Sequence, residues 1–122
     1  MRDMKYILEC WGGWAASEGA GVDYSSIAAG FKGLLPADSN QRPSLTDHDG
    51  IIIDSCIAKL KKFKPEEYDL VVAHYRYNIS LRTIARRRHC SDGTIRKEIQ
   101  TAEGFIGGVL CMLEVKLEID CL

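Results

Sequence analysis

The chain reads as an all-α protein, and three features of the sequence carry that reading. Apolar residues recur at steps of three and four along most of its length, the period of one helix face. No segment shows the two-residue alternation between turn residues that marks a strand. Ser, Thr, Asp and Pro stand just ahead of the apolar-periodic stretches, where helix starts use them. The expected architecture is a multi-helix protein with a helix-turn-helix and a long C-terminal helix.

Residues 3–16 form the first expected helix. Tyr6, Ile7, Cys10, Trp11 and Trp14 share one face, and Asp3 can cap it. Gly12 and Gly13 each weaken a helix by about 1 kcal/mol relative to alanine, so either another element comes close there or the helix ends early. The two tryptophans read as core rather than as a binding platform. Residues 17–22 are Gly-rich but lack G-x-G-x-x-G or G-K-[ST], so they make no phosphate cradle.

A second helix is expected over Asp23–Leu35, capped by Asp23, with Ile27, Phe31, Leu34 and Leu35 turned inward. Gly30 and Gly33 soften it and Pro36 closes it. Residues 36–50 are dominated by Pro, Asp, Ser, Asn and Gly, with no apolar period. They read as a loop or hinge. The chain thus divides into an N-terminal helical lobe (1–36), a connection (37–50) and a helical domain (51–122).

Thr46 and Asp47 can cap the next helix, which places Ile52, Ile53, Cys56, Ile57 and Leu60 inside. Lys59, Lys61, Lys62 and Lys64 gather at its C-terminal end, where the helix dipole favours cations. Pro65 opens a further helix, with Glu66 and Glu67 in its first turn and Tyr68, Val71, Val72 and Tyr75 as its buried stripe. Asn78 tolerates the left-handed conformation that ends helices.

Residues 80–103 carry the helix-turn-helix. Ser80 caps a short helix whose inner face is Leu81, Ile84 and Ala85. His89-Cys90 form the turn. Ser91 caps a second helix whose inner face is Ile95, Ile99 and Ala102. Ala85 is small enough for the two to cross closely. The second helix is expected to continue to about Asp120 on a stripe of Ile106, Val109, Leu110, Leu113 and Leu117, a length of roughly 40 Å at 1.5 Å per residue. Gly104 and Gly107-Gly108 are the places where it could bend.

Charge gives this unit a function. The whole chain has a net charge of −1. Between Arg76 and Gln100, however, seven basic residues face only Asp92 and Glu98, a local excess of about five positive charges. A basic face on a near-neutral chain suits phosphate contact. A helix-turn-helix sets the start of its second helix in the DNA major groove. Thr94, Arg96, Lys97 and Gln100 are therefore the candidates for base edges. Arg82, Arg86, Arg87 and Arg88, with Ser91 and Gly93, are the candidates for the sugar-phosphate backbone. Asp92 serves better as a capping residue than as a reader of cytosine.

Other chemistries find little support. Five cysteines without C-x-x-C make neither a disulfide framework nor a zinc ribbon, and fit small buried hydrophobes better. His89-Cys90 is poor ligand spacing, and His48 and His74 could join it only through the fold; no metal or cofactor is expected. Asp47, His48 and Asp49 could be read as the centre of a small metal-dependent nuclease, but capping explains them more simply. No apolar run approaches the ~18 residues of a membrane span. The start M-R-D-M-K-Y lacks a secretory signal's apolar stretch. A cytoplasmic protein with no membrane partner is expected.

The run from Pro65 to Ile99 resembles region 4 of bacterial sigma factors. It shows a Tyr-containing helix end, Ser80, Ile84-Ala85 and then S-x-G-T-I-R-x-x-I from Ser91. It departs from that pattern at Arg88-His89, where such domains carry Leu-Gly. A fuller resemblance covers nearly the whole chain. W-G-G-W-A-A, G-V-D-Y-S-S-I-A-A-G-F-K-G-L-L-P, K-P-E-E-Y, I-A-R-R-R and T-A-E-G-F-I together resemble the phage late-gene antitermination protein Q family, in the branch typified by lambdoid phage 21.

The resemblance implies a non-enzymatic protein of the host bacterium's cytoplasm that binds a double-stranded DNA element near a phage late promoter. It implies loading onto bacterial RNA polymerase that holds a sigma factor and is paused just downstream. The polymerase then ignores pauses and terminators. In this branch it further implies a nozzle at the RNA exit channel, through which nascent RNA passes without forming terminator hairpins. The helix-turn-helix would hold the DNA element, alone or beside a second copy. The lobe before residue 50 and the C-terminal helix would meet polymerase. A helix-turn-helix regulator acting only at a promoter is the competing reading.

Overall fold

The structure is a computed structural model that describes residues 2–18, 25–36 and 42–121. Among the described residues there are six helices: α1 (Met4–Glu18), α2 (Ser25–Ala29), α3 (Asp47–Phe63), α4 (Pro65–Val71), α5 (Leu81–Arg87) and α6 (Asp92–Leu113). A π-helical turn, Val72–Arg76, extends α4, and a 3-10 turn, Glu118–Cys121, closes the described chain. There is no strand among the described residues. None of their helices is long and apolar enough to cross a membrane.

α1 packs on the π-turn, α3 and α6. Leu8, Trp11 and Trp14 are buried in the core that also holds Ile53, Leu60, Val71, Ile106 and Leu110. Both indoles tie α1 to α3. Trp11 Nε1 donates to Asp54 at 3.3 Å, and Trp14 Nε1 donates to Asp47 at 2.9 Å. The tryptophans are core, as their spacing suggests. Gly12-Gly13 mark close approach rather than a helix end. A Cβ on Gly12 would lie 1.9 Å from the Tyr75 carbonyl oxygen, and one on Gly13 would lie 2.0 Å from that of Pro43. Tyr6, expected inside, is 48% exposed, because the buried stripe runs through Ile7 and Leu8 instead.

α2 is shorter than the sequence suggests. Helical bonding gives way to turns through Gly33, whose φ of +82° ends them. Leu34 and Leu35 then lie beyond the last turn and are exposed instead of buried. The expected cap Asp23 lies outside the described residues, as does 37–41 of the expected hinge. On either side of that stretch the chain contributes to one core.

α3 begins at Asp47, capped by Thr46, whose Oγ1 accepts the Asp49 N–H at 3.3 Å. Asp49 is 1% exposed and does something the sequence did not suggest. Its carboxylate accepts the N–H groups of Glu118 at 2.8 Å and Ile119 at 2.9 Å, with His48 Nδ1 at 3.0 Å. Burial pushes this carboxyl up, but the two amides and the His48 ring outweigh it and hold it below its ordinary value.

That clamp belongs to a return of the chain. α6 does not reach Asp120; Glu114 takes φ 52° and ends the helix at Leu113. The following segment folds back and buries Leu117 in the core. It is held by Arg2, which donates to the Val115 carbonyl at 2.8 Å and to Asp120 at 3.0 Å. Val109 is half-buried and Leu113 exposed, so the buried stripe of α6 stops at Leu110. The helix runs through Gly104 and Gly107-Gly108 without a break.

Candidate nucleic-acid interface

Ser80 starts α5, its Oγ accepting the Thr83 N–H at 3.1 Å. Ile84 and Ala85 are buried against α6. The end of α5 is a Schellman closure: the Cys90 N–H reaches the Ala85 carbonyl at 3.0 Å, and the His89 N–H reaches that of Arg86 at 3.2 Å. Such a closure needs a left-handed residue, and His89 supplies it with φ 56°. The turn where sigma-like domains carry glycine is thus built with a histidine.

Ser91 then starts α6, accepting the Thr94 N–H at 3.1 Å. Ile95 and Ile99 are buried beneath it. Each such burial contributes roughly 1.5–3 kcal/mol, enough to fix which face of α6 turns inward. The opposite edge is therefore determined. Asp92, Gly93, Thr94, Arg96, Lys97 and Gln100 are all exposed, together at the start of the second helix. All four expected base-reading residues stand on this edge.

The expected phosphate contacts divide. Arg82 and Arg86 are exposed on α5 and make no ion pair among the described residues. Ser91 and Gly93 are exposed at the N-terminal end of α6. Arg87 is exposed but donates to the Gly30 carbonyl and lies 5.9 Å over the Phe31 ring, which draws the α2 segment against α5. Arg88 departs from expectation. Its guanidinium pairs with Glu98 at 3.0 Å and donates to the Glu66 carbonyl at 3.0 Å. It fastens the turn to α4 and α6.

Behind the interface, Tyr75 and Glu103 meet in the core, the Tyr75 hydroxyl donating to Glu103 Oε2 at 3.2 Å. Burial pushes both groups up; for Glu103 the Tyr75 hydroxyl, Lys5 and His74 oppose it only in part. Arg42 donates to the Arg76 carbonyl at 2.9 Å and to the Tyr75 carbonyl, covering the end of the π-turn. Neither arrangement has a local sequence signal, since each joins residues distant along the chain.

The suggested nuclease triplet is otherwise engaged. Asp47 receives the Trp14 indole, and Asp49 receives the C-terminal amides. The Thr46 cap accounts for the start of α3.

Comparison with known proteins gives a consistent result. The sequence profile described as Phage antitermination protein Q matches residues 1–118. A probable antitermination protein Q of Acyrthosiphon pisum secondary endosymbiont phage 1 is 49% identical over 120 residues, 98% of this chain and 81% of that one. The prophage antitermination protein Q homolog QuuD of Escherichia coli K12 is 45% identical, over 98% of this chain and 94% of its own. The antitermination protein Q of Escherichia phage 933W is 43% identical, over 98% and 83% respectively. Among solved structures, the transcription antitermination factor Q21 superposes with a TM-score of 0.58. It is 19% identical and covers 84% of this chain and 79% of its own, a likeness of fold.

Proposed function

This chain belongs to the phage antitermination protein Q family, and from that premise we propose how it acts: it binds a double-stranded DNA element near a late promoter through the start of α6. From there it passes to a paused, sigma-containing RNA polymerase and changes the RNA exit channel so that pauses and terminators are ignored. The observation that carries the DNA step is the outward edge Thr94, Arg96, Lys97 and Gln100, held there by the burial of Ile95 and Ile99.

The division of labour follows from the chemistry of each side chain. Arg82 and Arg86 carry charge toward phosphates, and each phosphate neutralised adds about 0.9 to the slope of affinity against salt. Ser91 and Gly93 let the backbone of the turn approach the sugar-phosphate chain. Arg96, reaching guanine with two parallel donors, supplies roughly 1–3 kcal/mol of discrimination. Lys97, Gln100 and Thr94 extend the reading along the groove. Arg88 contributes by holding the turn, and so sets the angle at which α6 enters.

The test is terminator readthrough in a purified transcription reaction, with templates that carry or lack the DNA element. Readthrough that depends on both protein and element supports the proposal. Stimulation or repression of initiation with unchanged termination would make the protein a promoter-bound regulator instead. Cleavage of DNA in magnesium or manganese would overturn its non-enzymatic character.

A further inference from the structure

The far end of α6 bears an apolar hollow that the DNA reading leaves unused. It is an open groove of about 560 Å³ between the ends of α3 and α6. Phe63, Gly104, Phe105, Gly108, Met112 and Leu113 line it, with Lys59 at its margin. Phe63 is 63% exposed, Met112 84% and Leu113 53%, so three of the described chain's most exposed large apolar side chains share one hollow. Side chains of this size left in water in one place mark an interaction surface.

The floor is shaped for a helix. Gly104 and Gly108 stand one turn apart, and a Cβ at either would have nothing within 4 Å. A backbone can therefore come close between the walls formed by Phe63, Phe105 and Met112. The margin is cationic. Lys59 and Lys62 are exposed and make no ion pair among the described residues, and Lys62 Nζ lies 5.5 Å over the Phe63 ring. A ligand desolvating this margin must bring negative charge.

We infer that this groove docks an amphipathic helix of a partner protein, its apolar stripe laid over Gly104 and Gly108 and its acidic flank against Lys59 and Lys62. Helix-in-groove recognition of this kind uses anchors at i, i+3 or i+4, and i+7. Met112 lies roughly 27 Å along the helix from Thr94 at 1.5 Å per residue. One rigid helix would thus carry a DNA-reading end and a protein-docking end, and both could be occupied together.

The test uses two designed helical peptides with the same leucine stripe, one flanked by glutamates and the other by lysines. Fluorescence anisotropy with the full chain should show the glutamate peptide binding about tenfold or more tightly than the lysine peptide. Met112→Glu, on a side chain almost wholly in solvent, should abolish that binding with the thermal melt and DNA affinity unchanged. Lys59→Glu with Lys62→Glu should reverse the preference. Absence of binding, equal binding of both peptides, or a wild-type dimer in sedimentation that Met112→Glu dissolves would overturn the inference, the last by placing a second copy in the groove. A chain that binds the glutamate peptide but no duplex would sink the DNA reading and leave this one standing.

Discussion

His89 stands in left-handed backbone with φ 56°, a conformation costing an ordinary L-residue about 1–2 kcal/mol. His89→Gly should therefore leave stability unchanged or raise it by up to about 1 kcal/mol, while His89→Ile should lower it by more than ~1 kcal/mol in urea unfolding. Asp49 and Glu103 act through protons, in opposite directions. The Asp49 carboxyl is held below its ordinary 3.8, so its contribution is present above that pH and is lost as pH falls through the folded value. Asp49→Ala should cost roughly 3 kcal/mol at neutral pH by removing two charge-assisted hydrogen bonds. Asp49→Asn should flatten the acid limb of the stability profile. The Glu103 carboxyl is raised above its ordinary 4.5, so its contribution is present below that pH and is lost as pH rises through the folded value. Glu103→Gln should remove the decline just above 4.5 and keep an acceptor for Tyr75, as pH-dependent melts would show.

At the level of elements, the meeting of α1 with the π-turn and the path of α6 can be separated by two matched substitutions. Gly12→Ala drives a Cβ into the Tyr75 carbonyl and should destabilise by about 1–3 kcal/mol or more. Gly104→Ala meets nothing and should stabilise by about 0.5–1 kcal/mol through helix propensity alone. Equal effects in denaturant titrations would contradict this packing.

Legibility in the sequence follows the same division. The caps Thr46, Ser80 and Ser91, the left-handed Asn78 and the inward Ile84, Ile95 and Ile99 were readable because each depends on near neighbours. The end of α6 was not. An apolar stripe ran on through Leu117, and only the return of the chain, clamped by Asp49 and Arg2, shows that Leu117 reaches the core by another route. The contacts of Arg88 are hidden for a similar reason: its partners Glu98 and Glu66 are brought to it by the fold.

On the scale of the whole molecule, α6 joins a polar, cationic edge at one end to an apolar hollow at the other, with the core packed along its middle. The family assignment supplies the task, antitermination, and under the two proposals above this layout would let one small protein hold DNA and a protein surface at once. The most direct measurement is equilibrium binding of wild type, Arg96→Ala and Arg86→Ala to a duplex bearing the recognised element and to a scrambled duplex, across a salt series. Arg96→Ala should lose roughly 1–3 kcal/mol on the element and little on the scrambled duplex. Arg86→Ala should weaken both alike and lower the salt slope by about 0.9. The reverse ranking, with Arg86 selective and Arg96 indifferent to sequence, would contradict the orientation of α6 on which the account rests.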